Sequence, residues 1–367
     1  VVHPAEYGLR QWSGWIIGPA LLLLTLILDP PSGLSEAGWR TAGAAALMAT
    51  LWITESIPIP VTALFPLILF PALGLSNIKE SATPYGNPLI FLFLGGFLIA
   101  LAMQKWNLHR RVAINLISAM GTKPRRIAAG FLLASALISM WVSNTATALM
   151  MLPIALSVVQ FIPAEHRAKG ELRGFGIAVL LMVAYGSTIG GMGTLIGTPP
   201  NALLAAFTSE RYKLEISFRQ WMMIGIPIAL LAIPVAHFVV TRFAFKLSGR
   251  EIPGLGDVIR QEKQKLGRMG RGEIAVAIVF TLTALAWITQ PLIADVIPLV
   301  SDTTIALVGA IALFMIPVNA REGRFVMDWD AAKGIPWDVL ILFGGGLSLA
   351  AQIEKAGLSE WMGGLFG

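Results

Sequence analysis

Cysteine is absent from the 367 residues of the chain. A disulfide framework, thiolate catalysis and a cysteine-ligated metal are thereby excluded. Histidine is scarce, and His3, His109, His166 and His237 are too scattered to form a ligand cluster. Charge is scarce as well, at 13% of residues against 56% hydrophobic ones, with a mean hydropathy of +0.73. Such a composition cannot build an ordinary soluble domain, and it fits an all-α polytopic membrane protein. The alternating segments of a membrane β-barrel are missing. No serine pairs with a membrane histidine or lysine at a spacing suited to intramembrane hydrolysis, so the chain is not expected to be an enzyme. The net charge of +6 gives no support to nucleic-acid binding, because its meaning lies in where the basic residues sit. No cleavable signal peptide is evident, and a start at Val1 suggests that the natural N-terminus has been lost.

What the chain has is a series of apolar segments. They fall at about 14–29, 41–56, 60–75, 88–104, 220–246, 273–290, 303–318 and 336–353. Two further segments, at about 127–160 and 174–208, are interrupted by polar or helix-breaking residues. This predicts about nine spans plus one re-entrant unit.

The re-entrant unit is the stretch 127–160, centred on Trp141-Val142-Ser143-Asn144-Thr145-Ala146-Thr147. Its 34 residues would run on the order of 50 Å as a helix, against roughly 30 Å of hydrocarbon. That is too long for one span and too short for two with a loop. The economical solution is a hairpin of two half-helices with Ser143-Asn144-Thr145 at its tip. Backbone unpaired at such depth is tolerated only where it is buried in protein or lines a cavity. The alternative, polar residues acting as interhelical glue, would leave some of three consecutive polar side chains facing lipid.

The basic residues support the hairpin independently. With the N-terminus cytoplasmic and 127–160 entering and leaving on one side, 21 of the 27 Lys and Arg residues fall on the cytoplasmic side and 6 opposite. A single crossing at 127–160 would nearly erase that bias. The basic stretch from Lys246 to Arg271 then reads as a cytoplasmic connector. Glu55, beside Pro58 and Pro60, reads as an interfacial residue rather than a proton relay, and His237 as a packed hydrogen-bonding residue.

The second interruption is Gly190-Gly191-Met192-Gly193-Thr194-Leu195-Ile196-Gly197-Thr198-Pro199-Pro200-Asn201. Its glycines and paired prolines cannot continue a helix without loss of hydrogen bonds. Pro199 and Pro200 suit the opening turn of a new half-helix whose positive end faces the loop. The competing reading is a packing kink lined with small residues. Hydroxyls, amides and freed carbonyls suit sodium, and half-helix N-termini suit a carboxylate or sulfate.

Phe93-Leu94-Gly95-Gly96-Phe97-Leu98-Ile99-Ala100, followed by Lys105 and Leu108, recurs 250 positions later as Phe343-Gly344-Gly345-Gly346-Leu347-Ser348-Leu349-Ala350, followed by Lys355 and Leu358. By the charge count the two copies run in opposite directions, the mark of an inverted-repeat secondary transporter. The same offset places a second Ser-Asn-Thr-like tip near position 393, so the second hairpin and the last spans are expected beyond Gly367.

Ser143-Asn144-Thr145, Gly197-Thr198-Pro199-Pro200-Asn201 and Trp52-Ile53-Thr54-Glu55-Ser56-Ile57-Pro58 together resemble the divalent anion:sodium symporters, the sodium-coupled dicarboxylate and sulfate carriers. The resemblance covers the whole chain as about the first three-quarters of a member. It implies a homodimer in the lipid bilayer, a multi-pass protein of the bacterial inner membrane, working by an elevator motion. It implies scaffold parts over 1–120 and 273–367, a transport part over 121–250, and a connector over 251–272. Carried over by motif, Ser139, Ser143, Asn144 and Gly197 would surround a sodium ion. Asn144, Thr145 and Thr198 would contact a substrate carboxylate. Sodium is the coupling ion, and no other cofactor is implied. The substrate expected is a C4 dicarboxylate such as succinate, fumarate or malate. The alternatives are sulfate, citrate or tartrate transport, dicarboxylate exchange, arsenite-type or channel-like anion efflux, or an inactive fragment.

Overall fold

Prolines and short polar caps open many of the helices in the computed structural model, which describes residues 7–161, 174–247, 251 and 254–365. Helix α1 is Leu9–Ile27. Helix α2, Glu36–Thr54, starts at Ser35, whose hydroxyl accepts from the Gly38 amide, and stops at Glu55 in the left-handed region with φ 51°. The short helices α3 (Ile59–Thr62) and α4 (Pro66–Ala72) each carry proline in the first turn, where its missing N–H costs nothing. Helix α5 (Ile78–Ala82) is capped by Asn77. The chain continues through α6 (Pro88–Lys105), α7 (Leu108–Met120), α8 (Pro124–Ser139), α9 (Asn144–Phe161), α10 (Phe175–Gly191) and α11 (Pro199–Tyr212). Helix α12 (Phe218–Phe238) runs on as a π-helical turn over Val239–Ala244. Then follow α13 (Leu255–Lys265), α14 (Arg271–Ile288), α15 (Gln290–Val296) and α16 (Asp302–Met315). A small antiparallel ladder of β1 (Pro317–Asn319) and β2 (Arg324–Phe325) precedes α17 (Trp329–Ala332), α18 (Trp337–Lys355) and α19 (Leu358–Gly364).

Helices occupy each apolar segment expected from the sequence, although 60–75 is split into α3 and α4 and the end of 303–318 passes into β1. Pro88–Lys105, Phe218–Ala244 and Arg271–Ile288 are each long and apolar enough to cross a membrane, and α18 with α19 passes the same test as a pair bent by 65°. Composition and helix content together describe an all-α membrane protein. No apolar segment signals α7 or α13, which lie in charged stretches between the apolar segments. Both are amphipathic, with Ala113, Ile114 and Ile117 of α7 and Leu255 and Ile259 of α13 turned into one core.

The chain divides into two compact units, residues 1–91, 203–215 and 336–367 in one, and 92–202 and 216–335 in the other. The first has a core of Ala44, Met48, Phe70, Leu75 and Leu349. Glu55 is half exposed there and pairs with Arg10 at 2.5 Å, which agrees with the interfacial reading. In the second unit α7, α8, α9, α10 and α13 share one core. Another core joins α6, α14, α16 and the residues Val326 and Met327 that follow β2. Arg111 binds Glu273 and the carbonyls of Leu266 and Gly267, while Arg110 reaches Glu262, so α7 is fastened to the connector. His237 makes the packing hydrogen bond expected of it, Nε2 to the Arg125 carbonyl at 3.0 Å.

The internal repeat has a structural counterpart. Helix α6 ends at Lys105 and restarts at Leu108 after Asn107, which is left-handed at φ 56°. Helix α18 ends at Lys355 and restarts at Leu358 after Gly357, left-handed at φ 69°. The same break thus falls at the same offset in both copies.

The stretch expected to fold back does so. Gly186 and Gly190 of α10 lie against Leu132 and Ala136 of α8, each advancing four residues, so these two helices run parallel. At the other end of α10, Gly176 meets Val159 near the end of α9. Arg125 in the first turn of α8 donates to the Leu247 carbonyl, and Gly174, just before α10, meets Phe245. The start of α8 and the end of α9 therefore lie at the same end of α10, and α9 returns antiparallel to α8. The detail differs from expectation in two respects. The turn is Met140–Ser143, and Asn144 and Thr145 already belong to the first turn of α9. The arms, of 16 and 18 residues, are about 24 and 27 Å long rather than half-spans. The reason is that α8 begins at Pro124, inside the basic stretch Lys123–Arg126, which hydropathy had assigned to loop.

Candidate functional site

Helix α8 stops at Ser139, which is fully buried. Its hydroxyl donates to Asn144 Oδ1 at 2.8 Å, joining the end of one arm to the start of the other. Ser139 and Ser143 are four residues apart but do not share a helical face, because the helix has ended between them. Ser143 serves α9 instead: its carbonyl accepts from the Thr147 amide at 2.9 Å, and its hydroxyl accepts weakly from the Ala146 amide at 3.4 Å. Thr147 is buried and turns its hydroxyl to the Val142 carbonyl at 3.4 Å.

The second interruption closes onto this turn. Helix α10 ends at Gly191, and α11 opens at Pro199 and Pro200 as the prolines predict. A Cβ on Gly191 would lie 2.2 Å from Asn144 Oδ1, and a Cβ on Gly197 would lie 2.4 Å from the Gly191 carbonyl oxygen. Neither position accepts a side chain without a shift. The hydroxyl of Thr194 donates to the Met140 carbonyl in the hairpin turn. Asn201, buried in the first turn of α11, donates through Nδ2 to the carbonyls of Gly191 at 2.9 Å and Thr194 at 2.8 Å. Thr194 thus satisfies a carbonyl of the hairpin turn and Asn201 two carbonyls of its own break, as irregular backbone inside an apolar protein requires.

Ser139, Asn144 and Gly197 are therefore brought together, with Gly191 between the last two. Ser143 adjoins them along the chain. Thr145 is exposed and Thr198 half-buried, and their hydroxyls make no hydrogen bond among the described residues. The cluster consists of hydroxyl, amide and carbonyl oxygens. Among the described residues no group of three or more His, Asp or Glu side chains could hold a metal ion. A cation here would be held by neutral hard oxygens, which suits an alkali ion better than a transition metal. The N-termini of α9 and α11 both open at the cluster; the first-turn amides of α9 suit an anion beside it, whereas Pro199 and Pro200 give α11 no N–H at its first two positions.

Several supporting residues had no signal in the sequence. The first turns of α12 run along both breaks: Trp221 donates to the Met192 carbonyl at 3.0 Å, and Gly225 lies against Met192 and Gly193. Trp141, in the hairpin turn, stacks on Phe218 and Trp287 and meets Phe280 edge-on with centroids 4.9 Å apart. Trp287 is buried and donates to the Asp302 carbonyl, while the Phe218 amide donates to the Asp302 carboxylate at 2.7 Å. Asn201 was visible as part of its motif, but nothing in the motif said that it ties off two carbonyls.

The family described as the sodium:sulfate symporter transmembrane region matches residues 9–367. A protein of Staphylococcus saprophyticus named sodium-dependent dicarboxylate transporter SdcS is 42% identical over 98% of this chain and 70% of its own length. The protein of the same name from Staphylococcus aureus strain USA300 is 39% identical, over 97% of this chain and 70% of its own length. A match over nearly the whole chain, on a fold whose two broken helices meet as described, means that the chain belongs to the sodium:sulfate symporter family.

Proposed function

We propose that this protein is a sodium-coupled secondary carrier of small divalent anions, with C4 dicarboxylates such as succinate, fumarate and malate as substrates. The observation that carries the reading is the meeting of Ser139, Asn144, Gly191 and Gly197 at two helix breaks that Thr194 ties together through its hydrogen bond to the Met140 carbonyl. The relatives named as sodium-dependent dicarboxylate transporters support the substrate class.

Sodium sits among the oxygens of Ser139, Ser143, Asn144 and Gly197 in this reading. Asn144, Thr145 and Thr198 meet one carboxylate of the substrate, assisted by the amides at the start of α9. No arginine or lysine among the described residues belongs to the cluster, so a dianion gains its compensating positive charge from sodium. A desolvated carboxylate without such a partner is strongly disfavoured. Sodium therefore binds first, and the site empties when sodium is low. The coupling thus follows from the neutrality of the protein groups.

The larger-scale features belong to the same proposal. The two repeat copies run in opposite directions through a bacterial inner membrane, with the N-terminus cytoplasmic. The parts at 1–120 and 273–367 act as scaffold, 121–250 carries the site across by an elevator motion, and 251–272 connects them. The working form is a homodimer.

The test is radiolabelled succinate uptake by proteoliposomes with and without an inward sodium gradient. Uptake that needs the gradient and disappears in Asn144→Ala supports the proposal. Uptake indifferent to sodium, or unchanged in that variant, overturns it.

A further inference from the structure

Outside the site just described, a cavity of about 350 Å³ lies between the end of α7 with the turn after it and α13, and its lining is more polar than apolar. Ser118 and Thr122 line it from the end of α7 and the turn that follows. Arg260 and Lys263, three residues apart on α13, line it from the opposite wall. Gly121 and Gly256 leave backbone bare at its edges, and a Cβ on Gly256 would come within 3.0 Å of the Thr122 methyl.

The charges facing this space are unbalanced. Among the described residues Asp257 is the carboxylate that pairs with the lining groups, and it stands 3.8 Å from the Arg260 guanidinium, most of whose donors have no partner there. Lys263 makes no ion pair among the described residues. Glu262 points the other way, to Arg110 and Lys265. Lys123 and Arg126, both exposed, add positive charge at the start of α8, whose first turn has no side-chain cap. A guanidinium, an ammonium and two hydroxyls around one pocket match the oxygens of a phosphate group in charge and in donor number.

We propose that this cavity binds a phosphate group. It lies outside the apolar spans, within the basic stretches that flank them. Two sources fit: the head group of an anionic phospholipid, or phosphate free in solution. The site does not depend on the transport reading, since none of its residues belongs to the Asn144 cluster.

The experiment is thermal unfolding of the detergent-solubilised protein at constant ionic strength, with inorganic phosphate in one arm and short-chain phosphatidylglycerol in the other. Saturating ligand is expected to raise the melting temperature by roughly 3–5 °C. The shift should vanish in Arg260→Gln/Lys263→Gln. It should persist in the charge-matched Arg321→Gln/Arg324→Gln, and also in Asn144→Ala, which separates it from anion binding at the other site. A shift with phosphatidylglycerol alone assigns the lipid head group, and one with inorganic phosphate assigns the free ion. Of the four substituted cations Arg260 and Lys263 line the cavity and Arg321 and Arg324 do not, and all four are exposed, so the fold is expected to survive; weakening of the shift by added sodium chloride tests its charge dependence on the unaltered protein. No shift with either ligand, or a shift that survives Arg260→Gln/Lys263→Gln, overturns the proposal.

Discussion

The side-chain oxygen of Asn144 fills the space above Gly191, where an ideal Cβ would approach it to 2.2 Å. This contact joins the two helix breaks. Gly191→Ala must push Asn144 away from Ser139 or move the end of α10. The expected outcome is a loss of sodium-dependent uptake of at least about tenfold, equivalent to ~1.4 kcal/mol, with the protein still monodisperse in detergent. Uptake equal to that of the unaltered protein would show that the contact does not set the site.

Asn201 offers a second probe. Its Nδ2 supplies hydrogen bonds to two carbonyls, and the residue is buried. In Asn201→Asp an oxygen would face both carbonyls, and in Asn201→Leu both would be left without a donor. Each buried acceptor so orphaned costs about 1–3 kcal/mol. Both variants should melt several degrees lower, and a melting temperature within one degree of the original would contradict the arrangement.

Acid should loosen the fastening of α7 to the connector. The Lys265 ammonium, opposed by burial and seconded by the Arg110 guanidinium, holds the Glu262 carboxyl below its usual range. A carboxyl depressed by folding stabilises the native state fully above its unfolded pKa and loses that contribution as pH falls through the lower, folded value. Thermal stability should therefore fall as pH drops below about 4.5, and Glu262→Gln should flatten that dependence. An identical acid limb in the variant would refute the assignment.

The ion pairs of the two repeat copies should matter little to stability. Lys105 meets Asp328 at 2.5 Å, and Lys355 meets Glu80 at 2.7 Å. Each lysine ends a repeated helix, and each pair is substantially exposed. Exposed pairs contribute about 0–1 kcal/mol, so Lys105→Ala should shift unfolding by less than ~1 kcal/mol. A larger loss would mean that the break after α6 depends on this charge.

The absence of native cysteine allows a direct test of the fold-back. Lys123→Cys and Gln160→Cys place exposed thiols at the start of α8 and near the end of α9. A membrane-impermeant maleimide should label both from the same side. Labelling from opposite sides would make the stretch a crossing.

The fold-back was legible in the sequence because two numbers agreed, the awkward length of 127–160 and the sidedness of the basic residues. The prolines at 199 and 200 likewise placed the start of α11 to the residue. Where the turn would fall was not legible: Ser143 is as good an N-cap as a tip residue, and only packing against Gly191 decides between them. The glycine-rich run of α10 contained both readings at once, with Gly186 and Gly190 serving helix approach and Gly191 and Gly197 serving the site. Trp221, Phe218 and Trp287 lay out of reach because their roles depend on neighbours far along the chain, and an aromatic residue in an apolar helix has no pattern of its own.

The absence of side chains at Gly186 and Gly190 has a mechanical consequence. Backbone lies directly on backbone there, with the carbonyl of Ala136 only 2.1 Å from where a Cβ on Gly190 would stand. Side chains can yield by changing rotamer, but such a contact has nothing flexible between its parts. The hairpin cannot slide along α10 or swing free of it as a flap. Whatever travel the cargo undergoes, α8, α9 and α10 must make it as one stiff block, and the compliance has to reside in the chain leading into and out of that block.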